Sequence, residues 1–364
     1  MEKKDRLLEL REELNELDRR IRDMLNQRAA ISLEVGKLKK QNDGGVLRPM
    51  RERQLLEALE VDNPGPLPGS HLQAIYREIL SSSRALQDYQ QVGCLGPEGT
   101  FSCQAGRALL GGCAEFLFLN DLPAVFEAVC QGHVQMGVVP LENSLQGTVG
   151  QSLDLFFNHQ VFILSEMFFR ISHSLLSKSK ALSDIKTVIS HYQPLDQCGT
   201  WLMERLPAAR LITAESTAAA AKMAAEAETN EGVAAIAHKS LAKAHGLSIL
   251  ASRLEGMAEN WTRFVIIGQR PGEDSPVDKI SMLFTLPDQP GALARVLAAF
   301  AAHGINLKKL ESRPLKGKRW QYVFFVDLEN GSEGGDYQRL LIDLEKQCHS
   351  LRVLGRYPQG SYLG

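Results

Sequence analysis

The sequence predicts a multidomain protein with an all-α bundle, then a two-lobed α/β domain, then a small βαββαβ domain of the ferredoxin-like order. Helical apolar spacing runs through residues 5–90, and short apolar strands alternate with alanine-rich helices through 92–269. That alternation favours a mostly parallel sheet and allows two lobes with a cleft between them. Six segments after residue 278 give the order β, α, β, β, α, β. We place the domains at 1–90, 92–269 and 278–358.

The composition is typical of a globular protein. Hydrophobic residues make up 44% of the chain and charged residues 23%, and the formal net charge is −2. This balance gives no strong basic field, so nucleic acid is not an expected partner. No apolar run approaches the roughly 18 residues that a membrane-spanning helix needs, and the charged N-terminus lacks the apolar segment of a secretory signal. A membrane is therefore not an expected partner either.

Cysteine and histidine spacing gives no metal or cofactor motif. The six cysteines are scattered without a C-x-x-C pair, and the nine histidines form no H-x-x-x-H pattern. No G-x-G-x-x-G or G-x-x-x-x-G-K motif appears, so nicotinamide and nucleotide cofactors are not expected. Scattered cysteines in a chain of this size indicate reduced thiols, and we expect a cytoplasmic protein without cofactor or metal.

The N-terminal segment is predicted to form one long helix and two shorter ones. Apolar residues recur at spacings of three and four through about 5–41, which predicts a heptad seam. At 1.5 Å per residue this helix is roughly 55 Å long, more than one small core can cover, so we expect a second chain to share the seam. Residues 42–45 end the helix, and further helices are predicted over 49–61 and about 70–90.

Arg28 interrupts the apolar seam of the long helix. An arginine buried there without a partner costs several kcal/mol, so an anion must lie next to it. The anion is either a protein carboxylate such as Glu52 or an anionic ligand held inside the bundle. Other polar side chains of this region could complete such a ligand site: Lys39, Arg51, Glu52, Ser83 and Gln87.

The α/β domain contains an apolar run that ends in polar residues. Residues 136–139 are predicted to form a strand, and the sequence Glu-Asn-Ser follows at 142–144 in what is predicted to be a loop. Such groups at the end of a strand are typical of α/β sites, although the same residue types also close ordinary turns. Two further segments accompany this one, Leu-Gly-Pro-Glu-Gly-Thr-Phe-Ser at 95–102 and Thr-Arg-Phe at 262–264.

These three segments, in this order, resemble prephenate dehydratase. In the helical block, the residues that resemble the all-helical chorismate mutase of the bifunctional P-protein family lie at 10–12, 17–18, 28, 34–37 and 51–53. That resemblance covers nearly all of 5–90. It implies a cofactor-free homodimer or higher homo-oligomer that converts chorismate to prephenate and prephenate to phenylpyruvate in phenylalanine biosynthesis.

Chorismate rearranges to prephenate without proton transfer or a covalent intermediate, so charge placement and conformational restriction must supply the acceleration. The resemblance implies three groups of mutase residues: Arg11 and Arg28 on the carboxylates, Lys39 and Gln87 at the ether oxygen, and Arg51, Glu52 and Ser83 completing the pocket. Arg11 lies about 25 Å from Arg28 along the helix. Arg11 is therefore expected to serve the partner's site in a dimer.

One position departs from the mutase family. The chain has Leu47-Arg48-Pro49 before the second helix, where the family often carries an acidic residue. An added cation there would change recognition of the chorismate hydroxyl or slow turnover. A dehydratase whose helical block survives only as a dimerisation bundle is therefore one alternative.

Prephenate loses carboxylate and hydroxide to form an aromatic ring, which needs a general acid and hydrogen-bond donors but no metal. By resemblance, Thr262 polarises or protonates the leaving hydroxyl, either directly or as a relay from the stronger acid Glu142. Arg263 either binds a substrate carboxylate or pairs with Glu142. The implied substrate-binding residues of the dehydratase are Thr100, Asn143, Ser144, Ser190, Gln197, Glu215, Arg263 and Phe264.

Several of these residues have a structural alternative. Thr100 and the Glu-Ser-Thr sequence at 215–217 precede helical runs and could be ordinary helix caps. Tyr192 stands where the family segment around Ser190 usually has a proline. His173 and His191 lie near strand ends, where we expect a structural role for each.

The C-terminal segments at 286–293 and 311–314 resemble the ACT regulatory domain that follows prephenate dehydratase. The resemblance implies that phenylalanine binds between ACT domains of two chains and favours a less active dehydratase. The implied phenylalanine-binding residues are Asp288, Gly291, Ala292, Leu293, Asn306, Leu307, Glu311, Ser312, Arg313 and Pro314. The alternative is that these residues form a turn and a helix cap in an autonomous domain.

Two other functions remain open from the sequence. An arogenate dehydratase would keep the same fold, and no residue separates it from a prephenate dehydratase, although a fused mutase that makes prephenate favours the latter. A non-catalytic amino-acid sensor would clamp a small anion between its lobes, as periplasmic binding proteins do. The Thr262, Glu142 and Asn143 positions argue against that sensor.

Overall fold

The computed structural model describes residues 2–41, 47–256, 259–272, 278–315, 321–329 and 337–363. The helical block has helices at the predicted positions: α1 (Glu2–Gln41), α2 (Pro49–Val61) and α3 (Gly69–Gln87). The predicted end of the first helix at 42–45 lies outside the described residues. Pro49 opens α2, where its missing N–H is harmless because the first N–H groups of a helix have no intrahelical partner.

Helix α1 contacts the rest of the block through its C-terminal half. Within its described part, Ser32 and Gly36 are the buried residues. A Cβ on Gly36 would lie 2.8 Å from the Cα of Gln87, so the glycine is what allows α1 and α3 to touch. Before residue 28 the predicted apolar seam is uncovered, with Leu14 59% and Met24 66% exposed. Such a seam fits a surface that a second chain covers.

The α/β domain has the two predicted lobes, each with its own β-sheet. The first lobe comprises β1 (Gln91–Leu95), α4 (Phe101–Leu110), β2 (Glu115–Leu119), α5 (Leu122–Cys130), β3 (Met136–Asn143), β4 (Gly147–Thr148), α6 (Gly150–Asn158) and β5 (Phe162–Arg170). The second lobe comprises β6 (Ser174–Ser177), β7 (Thr187–Ser190), α7 (Tyr192–Gln197), α8 (Gly199–Arg205), β8 (Arg210–Thr213), α9 (Thr217–Glu226), β9 (Val233–Ala237), α10 (Ser240–His245) and β10 (Ser248–Ser252). Strand β11 (Trp261–Gly268) then returns to the first lobe.

The two sheets are mixed, which corrects the prediction of a mostly parallel sheet. Strand β11 lies antiparallel between β5 and β3, whereas β1 is parallel to both β2 and β3. The second sheet has the order β10-β6-β9-β7-β8, with β6 antiparallel to both of its neighbours. The physical reason is that the chain passes from the first lobe to the second after β5 and returns with β11. A strand that returns from the other lobe enters its sheet from the opposite end and is therefore antiparallel to its neighbours.

The C-terminal domain has the predicted βαββαβ order: β12 (Lys279–Thr285), α11 (Ala292–Ala302), β13 (Asn306–Pro314), β14 (Tyr322–Glu329), α12 (Tyr337–Gln347) and β15 (Ser350–Tyr357). A final strand, β16 (Ser361–Leu363), joins the first-lobe sheet beside β5. One apolar cluster contains Phe156 and Val265 of the first lobe together with Phe325 and Leu354 of the C-terminal domain. The two units therefore share a core. None of the described helices is long and apolar enough to cross a membrane.

Candidate active sites

A cavity of about 340 Å³ lies between the two lobes. The predicted substrate-binding residues that line it are Thr100, Asn143, Gln197, Glu215, Thr262 and Phe264. Further polar residues also line the cavity. A structural role was predicted for two of them, His173 and His191, whereas Gln193 and Asn260 were not identified from the sequence. Asn260 lies two residues before Thr262, and that proximity was the available signal for it.

Asn143 connects the polar groups of the cavity. Its Nδ2 lies 2.9 Å from Thr262 Oγ1 and 2.8 Å from Asn260 Oδ1. Its Oδ1 accepts the backbone N–H groups of Leu145 and Gln146, each at 3.0 Å. Two N–H donors on one side-chain oxygen fix the orientation of the amide. The nitrogen of Asn143 therefore donates to Thr262, whose own hydroxyl hydrogen remains available to a bound molecule.

Neighbouring residues on β3 and β11 lie on opposite faces of the sheet. In the register of these strands Thr262 is opposite Asn143, and Arg263 is opposite Glu142. The first pair lines the cavity and the second does not. The structure thus corrects two predictions, since neither Glu142 nor Arg263 is placed to act on a ligand there. Residues 142–144 were predicted to lie in a loop, but β3 continues to Asn143. Strand alternation therefore places the side chains of residues 142 and 143 on opposite faces.

Arg263 is 4% exposed and lies in an ionic cluster between the first lobe and the C-terminal domain. Its Nε donates to Glu166 at 2.7 Å, and its terminal nitrogens donate to Asp327 and to the hydroxyl of Tyr357. Lys279 Nζ also lies 2.9 Å from Glu166. Burial alone would lower the pKa of Arg263, but Asp327 and the other anions raise it well above its usual value. This buried charge cluster ties β11 to the C-terminal domain.

Strand β13 makes a second contact with the first lobe. Lys309 Nζ lies 2.8 Å from Glu142 and 2.9 Å from Thr148 Oγ1, and Thr148 in turn donates to Glu311 at 3.0 Å. Further along β13, Arg313 Nε lies 3.2 Å from Asp154. These contacts reach residues 142–154, the same part of the chain that supplies Asn143, Gln146 and Val149 to the cavity wall.

The helical block brings several predicted residues together around the end of α3. Arg28 donates to Ser83, whose hydroxyl donates to the Ile79 carbonyl at 2.8 Å. Gln87 Oε1 is buried without a partner in the described structure. Lys39 lies one turn beyond the contact between Gly36 and α3. Arg11 and Arg51 are exposed, and Arg11 lies in the half of α1 that projects away from the block.

Glu52 is paired with Arg84, a residue that the sequence did not single out. Arg84 is 5% exposed, and its guanidinium lies 2.6 Å from the Glu52 carboxylate and 2.5 Å from the Leu110 carbonyl at the end of α4. Of the two alternatives for Arg28, pairing with Glu52 is therefore wrong. Arg28 instead keeps a neutral partner, which leaves its charge available to an anion.

Three family descriptions match successive parts of the chain: Chorismate mutase type II at residues 10–88, Prephenate dehydratase at 92–272 and ACT domain at 280–336. The bifunctional chorismate mutase/prephenate dehydratase of Aquifex aeolicus is 38% identical over 359 residues, which cover 98% of both chains. The chain belongs to this family.

Two solved structures are similar to about three quarters of the chain. A prephenate dehydratase from Arthrobacter aurescens in complex with L-Phe has a TM-score of 0.68 and 31% identity, and covers 74% of this chain and 90% of its own. A protein described as a novel type of quorum quenching acylase has a TM-score of 0.67 and 29% identity, and covers 74% of this chain and 98% of its own.

Two further residues predicted for the dehydratase have structural roles instead. Ser144 Oγ donates to the Glu259 carbonyl and accepts the Trp261 N–H, each at 2.9 Å, so it joins the turn after β3 to the start of β11. Ser190 is fully buried, and its hydroxyl donates to the Ile236 carbonyl at 2.7 Å. Neither side chain lines the cavity, because its own hydrogen bonds direct it into the fold.

The ACT domain has a cavity of about 400 Å³ that collects part of the predicted phenylalanine site. Asp288, Ala292 and Leu293 line it, and Gly291 with a φ of 77° opens the adjoining helix α11. The residues predicted on β13 are not in its lining: Asn306, Leu307, Glu311, Ser312, Arg313 and Pro314. Within the chain, Glu311 and Arg313 contact the dehydratase domain.

Proposed function

We propose that the helical block rearranges chorismate to prephenate, that the cavity between the lobes converts prephenate to phenylpyruvate, and that phenylalanine bound to the ACT domain inhibits the second reaction. The observation that carries the dehydratase proposal is the hydrogen bond from Asn143 to Thr262. It occurs in a cavity whose described lining contains no lysine and no arginine.

The dehydratase reaction consumes one proton, because prephenate is a dianion and its hydroxide leaves as water while carbon dioxide departs. Thr262 fits the group that contacts the leaving hydroxyl, since its oxygen already accepts a hydrogen bond and its hydrogen is free to donate. A threonine hydroxyl is too weak an acid to be the net proton donor, so its role is to polarise the leaving hydroxyl and to relay a proton that comes from solvent.

The charge of the cavity suits a decarboxylation. The departing carboxylate becomes neutral carbon dioxide, so a fixed cation on it would stabilise the ground state more than the transition state. Helices α4 and α9 instead begin at the cavity wall, where Thr100 and Ser216 cap them. Their N-termini supply a diffuse positive potential for the dianion.

The mutase reaction needs cations held around chorismate rather than proton transfer. Arg28, Lys39 and Gln87 are arranged on the two helices that meet at Gly36, and the bond from Arg28 to Ser83 can give way to a carboxylate. Arg11 is too distant to join them in the same chain. We therefore infer a dimer in which the exposed half of α1 reaches the partner's site. Six free cysteines support a cytoplasmic location.

Inhibition by phenylalanine requires a physical connection between the ACT domain and the cavity. Two contacts supply it. The Arg263 cluster binds β11, which carries Thr262, and the Lys309 contacts bind the segment that carries Asn143 and Gln146. A shift of the ACT sheet therefore acts on both strands of the Asn143–Thr262 pair.

An acylase function has less support in this chain. Nucleophilic acyl transfer needs a hydroxyl activated by a base, usually an imidazole within hydrogen-bond reach. Among the described residues that line the cavity, the imidazole with a side-chain hydrogen bond is His173, and its partner is the amide of Gln197 rather than a hydroxyl.

The decisive experiment follows prephenate and phenylpyruvate separately after chorismate is added to purified protein, with and without phenylalanine. Prephenate that forms and then converts, with the second step slowed by phenylalanine, is the expected result. Turnover of prephenate but not chorismate would reduce the helical block to a scaffold. Failure with both would reject the proposal, and turnover of arogenate alone would replace the substrate.

The dimer is tested by mixing two inactive mutases, Arg11→Ala and Arg28→Ala. In a mixed dimer one site receives both intact arginines and the other receives neither. After unfolding and reassembly of equal amounts, mutase activity should recover to roughly a quarter of the unmutated value, since half of the dimers are mixed and half of their sites are complete. No recovery would mean that each site is built within one chain.

A further inference from the structure

His173 is a buried imidazole on the cavity wall that the proposed chemistry does not yet use. It follows β5 where the chain enters the second lobe, and it is 1% exposed. Its Nε2 lies 3.0 Å from Gln197 Oε1, its backbone N–H donates to Glu255 at 2.8 Å, and the ring of Phe101 meets it edge-on at 5.6 Å. The ring is therefore held in a fixed position.

The hydrogen bonds determine which ring nitrogen carries the proton. The amide of Asn143 is fixed by two backbone N–H groups, and it donates to Asn260 Oδ1. Asn260 Nδ2 must then face Gln197, at 3.2 Å from its Oε1. Because that oxygen is an acceptor, His173 Nε2 is the donor to it. Nδ1 is left buried, and no side chain or backbone group in the described structure bonds to it.

An unpartnered buried nitrogen on a cavity wall calls for a partner from the ligand. Prephenate brings two carboxylates into a cavity whose described lining has no lysine or arginine. The ring carboxylate departs as carbon dioxide, so an ion pair with it would oppose the reaction. The pyruvyl carboxylate is retained in the product, so an ion pair with it holds the substrate without that cost.

We propose that His173 is a substrate-binding residue, whose Nδ1 takes up a proton from solvent as the dianion enters and then donates it in a hydrogen bond to the pyruvyl carboxylate. The inference rests on the proposed dehydratase function. Five polar groups form a continuous hydrogen-bonded chain in the order Thr262, Asn143, Asn260, Gln197 and His173. The proposal places the leaving hydroxyl at the Thr262 end and the pyruvyl carboxylate at the His173 end.

The surroundings keep the imidazole neutral until the ligand arrives. Burial lowers the pKa of His173, while the Gln197 hydrogen bond and Glu255 act in the opposite direction. The other titratable groups near it are His238 across Phe101, Cys198 near Glu255, and His191 and Glu215 on the cavity wall. Since binding requires the protonated ring, affinity is complete below the pKa of the free enzyme and falls as pH rises above it.

The pH dependence of the dehydratase tests the proposal. The kcat/KM for prephenate should fall about tenfold per pH unit above neutrality in the unmutated enzyme. His173→Gln should lower kcat/KM about 10- to 100-fold, mainly through KM, and abolish this slope. His173→Asn, which places a neutral amide near the Nδ1 position, should recover part of KM without the slope. The matched control is His133→Gln at an exposed position, which should keep the KM and the pH slope of the unmutated enzyme.

Proton uptake provides a second readout. Calorimetric titration of phenylpyruvate, which retains the pyruvyl carboxylate, in phosphate and Tris buffers at pH 8 should show uptake of about one proton per bound molecule. His173→Gln should show none, and the control His133→Gln should retain the uptake. Equal slopes and equal uptake in the unmutated protein and His173→Gln would overturn the assignment.

The mutase activity of the same preparation reports whether each variant is folded. An unmutated protein that fails to form phenylpyruvate would reject the dehydratase function itself. A protein that forms phenylpyruvate with His173→Gln indistinguishable from it would reject only the role of His173.

Discussion

Thr262 and Arg263 are consecutive residues of β11, yet one lines the cavity between the lobes and the other is buried against the ACT domain. Strand alternation alone produces this division. A single strand thus presents a hydroxyl to the cavity on one face and a contact to the ACT domain on the other.

Replacing Thr262 should affect the dehydratase alone. Thr262→Val removes the hydroxyl and leaves Asn143 Nδ2 without this acceptor, so kcat should fall about 10²- to 10⁴-fold. Thr262→Ser keeps the oxygen and should retain a substantial part of the activity. Assays of phenylpyruvate formation and chorismate loss on the same samples distinguish the two sites. A Thr262→Val enzyme with unchanged dehydratase turnover would contradict the proposed role.

Removing the Arg263 guanidinium should destabilise the dehydratase–ACT unit. Arg263→Met leaves Glu166 and Asp327 buried with Lys279 as the remaining cation, which should cost about 3–5 kcal/mol of unfolding free energy. The double variant Arg263→Met/Asp327→Leu should recover part of that loss, because it removes one of the uncompensated charges. Urea unfolding measures both, with the exposed Arg210→Met as the control. Equal stability of Arg263→Met and the control would refute the structural role.

Lys309→Met should weaken inhibition by phenylalanine. It breaks the contacts to Glu142 and Thr148 beside the cavity, so the phenylalanine concentration for half-inhibition should rise about 3- to 10-fold while uninhibited turnover changes little. The preceding residue supplies a matched control, because Lys308 pairs with Glu329 within the ACT domain. The proposed route fails if Lys308→Met and Lys309→Met shift the inhibition curve equally.

Arg84→Met should impair the mutase through Glu52. The carboxylate loses the guanidinium that positions it, and the Leu110 carbonyl loses its donor, so KM for chorismate should rise about tenfold. Arg77→Met, on the same helix and with a hydrogen bond of 3.4 Å to Gln73, is the control. Steady-state mutase kinetics of the two variants make the comparison, and equal KM values would show that Glu52 does not depend on Arg84.

Gly36→Ala should reduce mutase activity even though alanine favours helices by about 1 kcal/mol. The new Cβ would meet the backbone of Gln87 at 2.8 Å, which forces α1 and α3 apart at the site. Activity should fall at least about tenfold, since a misplacement of catalytic groups by 1 Å can lower the rate about 100-fold. Gly65→Ala, whose Cβ would have an ordinary contact at 3.6 Å, should leave activity intact.

The sequence predicted the helices and strands better than it predicted which face of each strand carries a given side chain. The helices α1 to α3 and the βαββαβ order followed from periodicity, because long amphipathic patterns and turn residues act locally. The strand predicted at 136–139 continues to Asn143, so Glu142 and Asn143, both expected in the site, lie on opposite faces of the sheet. Ser144 and Ser190 were misplaced for a related reason, since a hydroxyl that satisfies a backbone group of the fold has the same sequence appearance as one that faces a ligand.

The sequence by itself determined the three-domain order and the family, and it predicted that Thr262 and Asn143 lie together in a site. Only the tertiary structure decided that Arg263 binds the ACT domain, that Arg84 holds Glu52 and that His173 lines the cavity. These contacts join residues distant in the chain, and whether a charged or polar side chain meets a ligand or a protein partner depends on which strands and helices pack beside it. Local spacing does not contain that information.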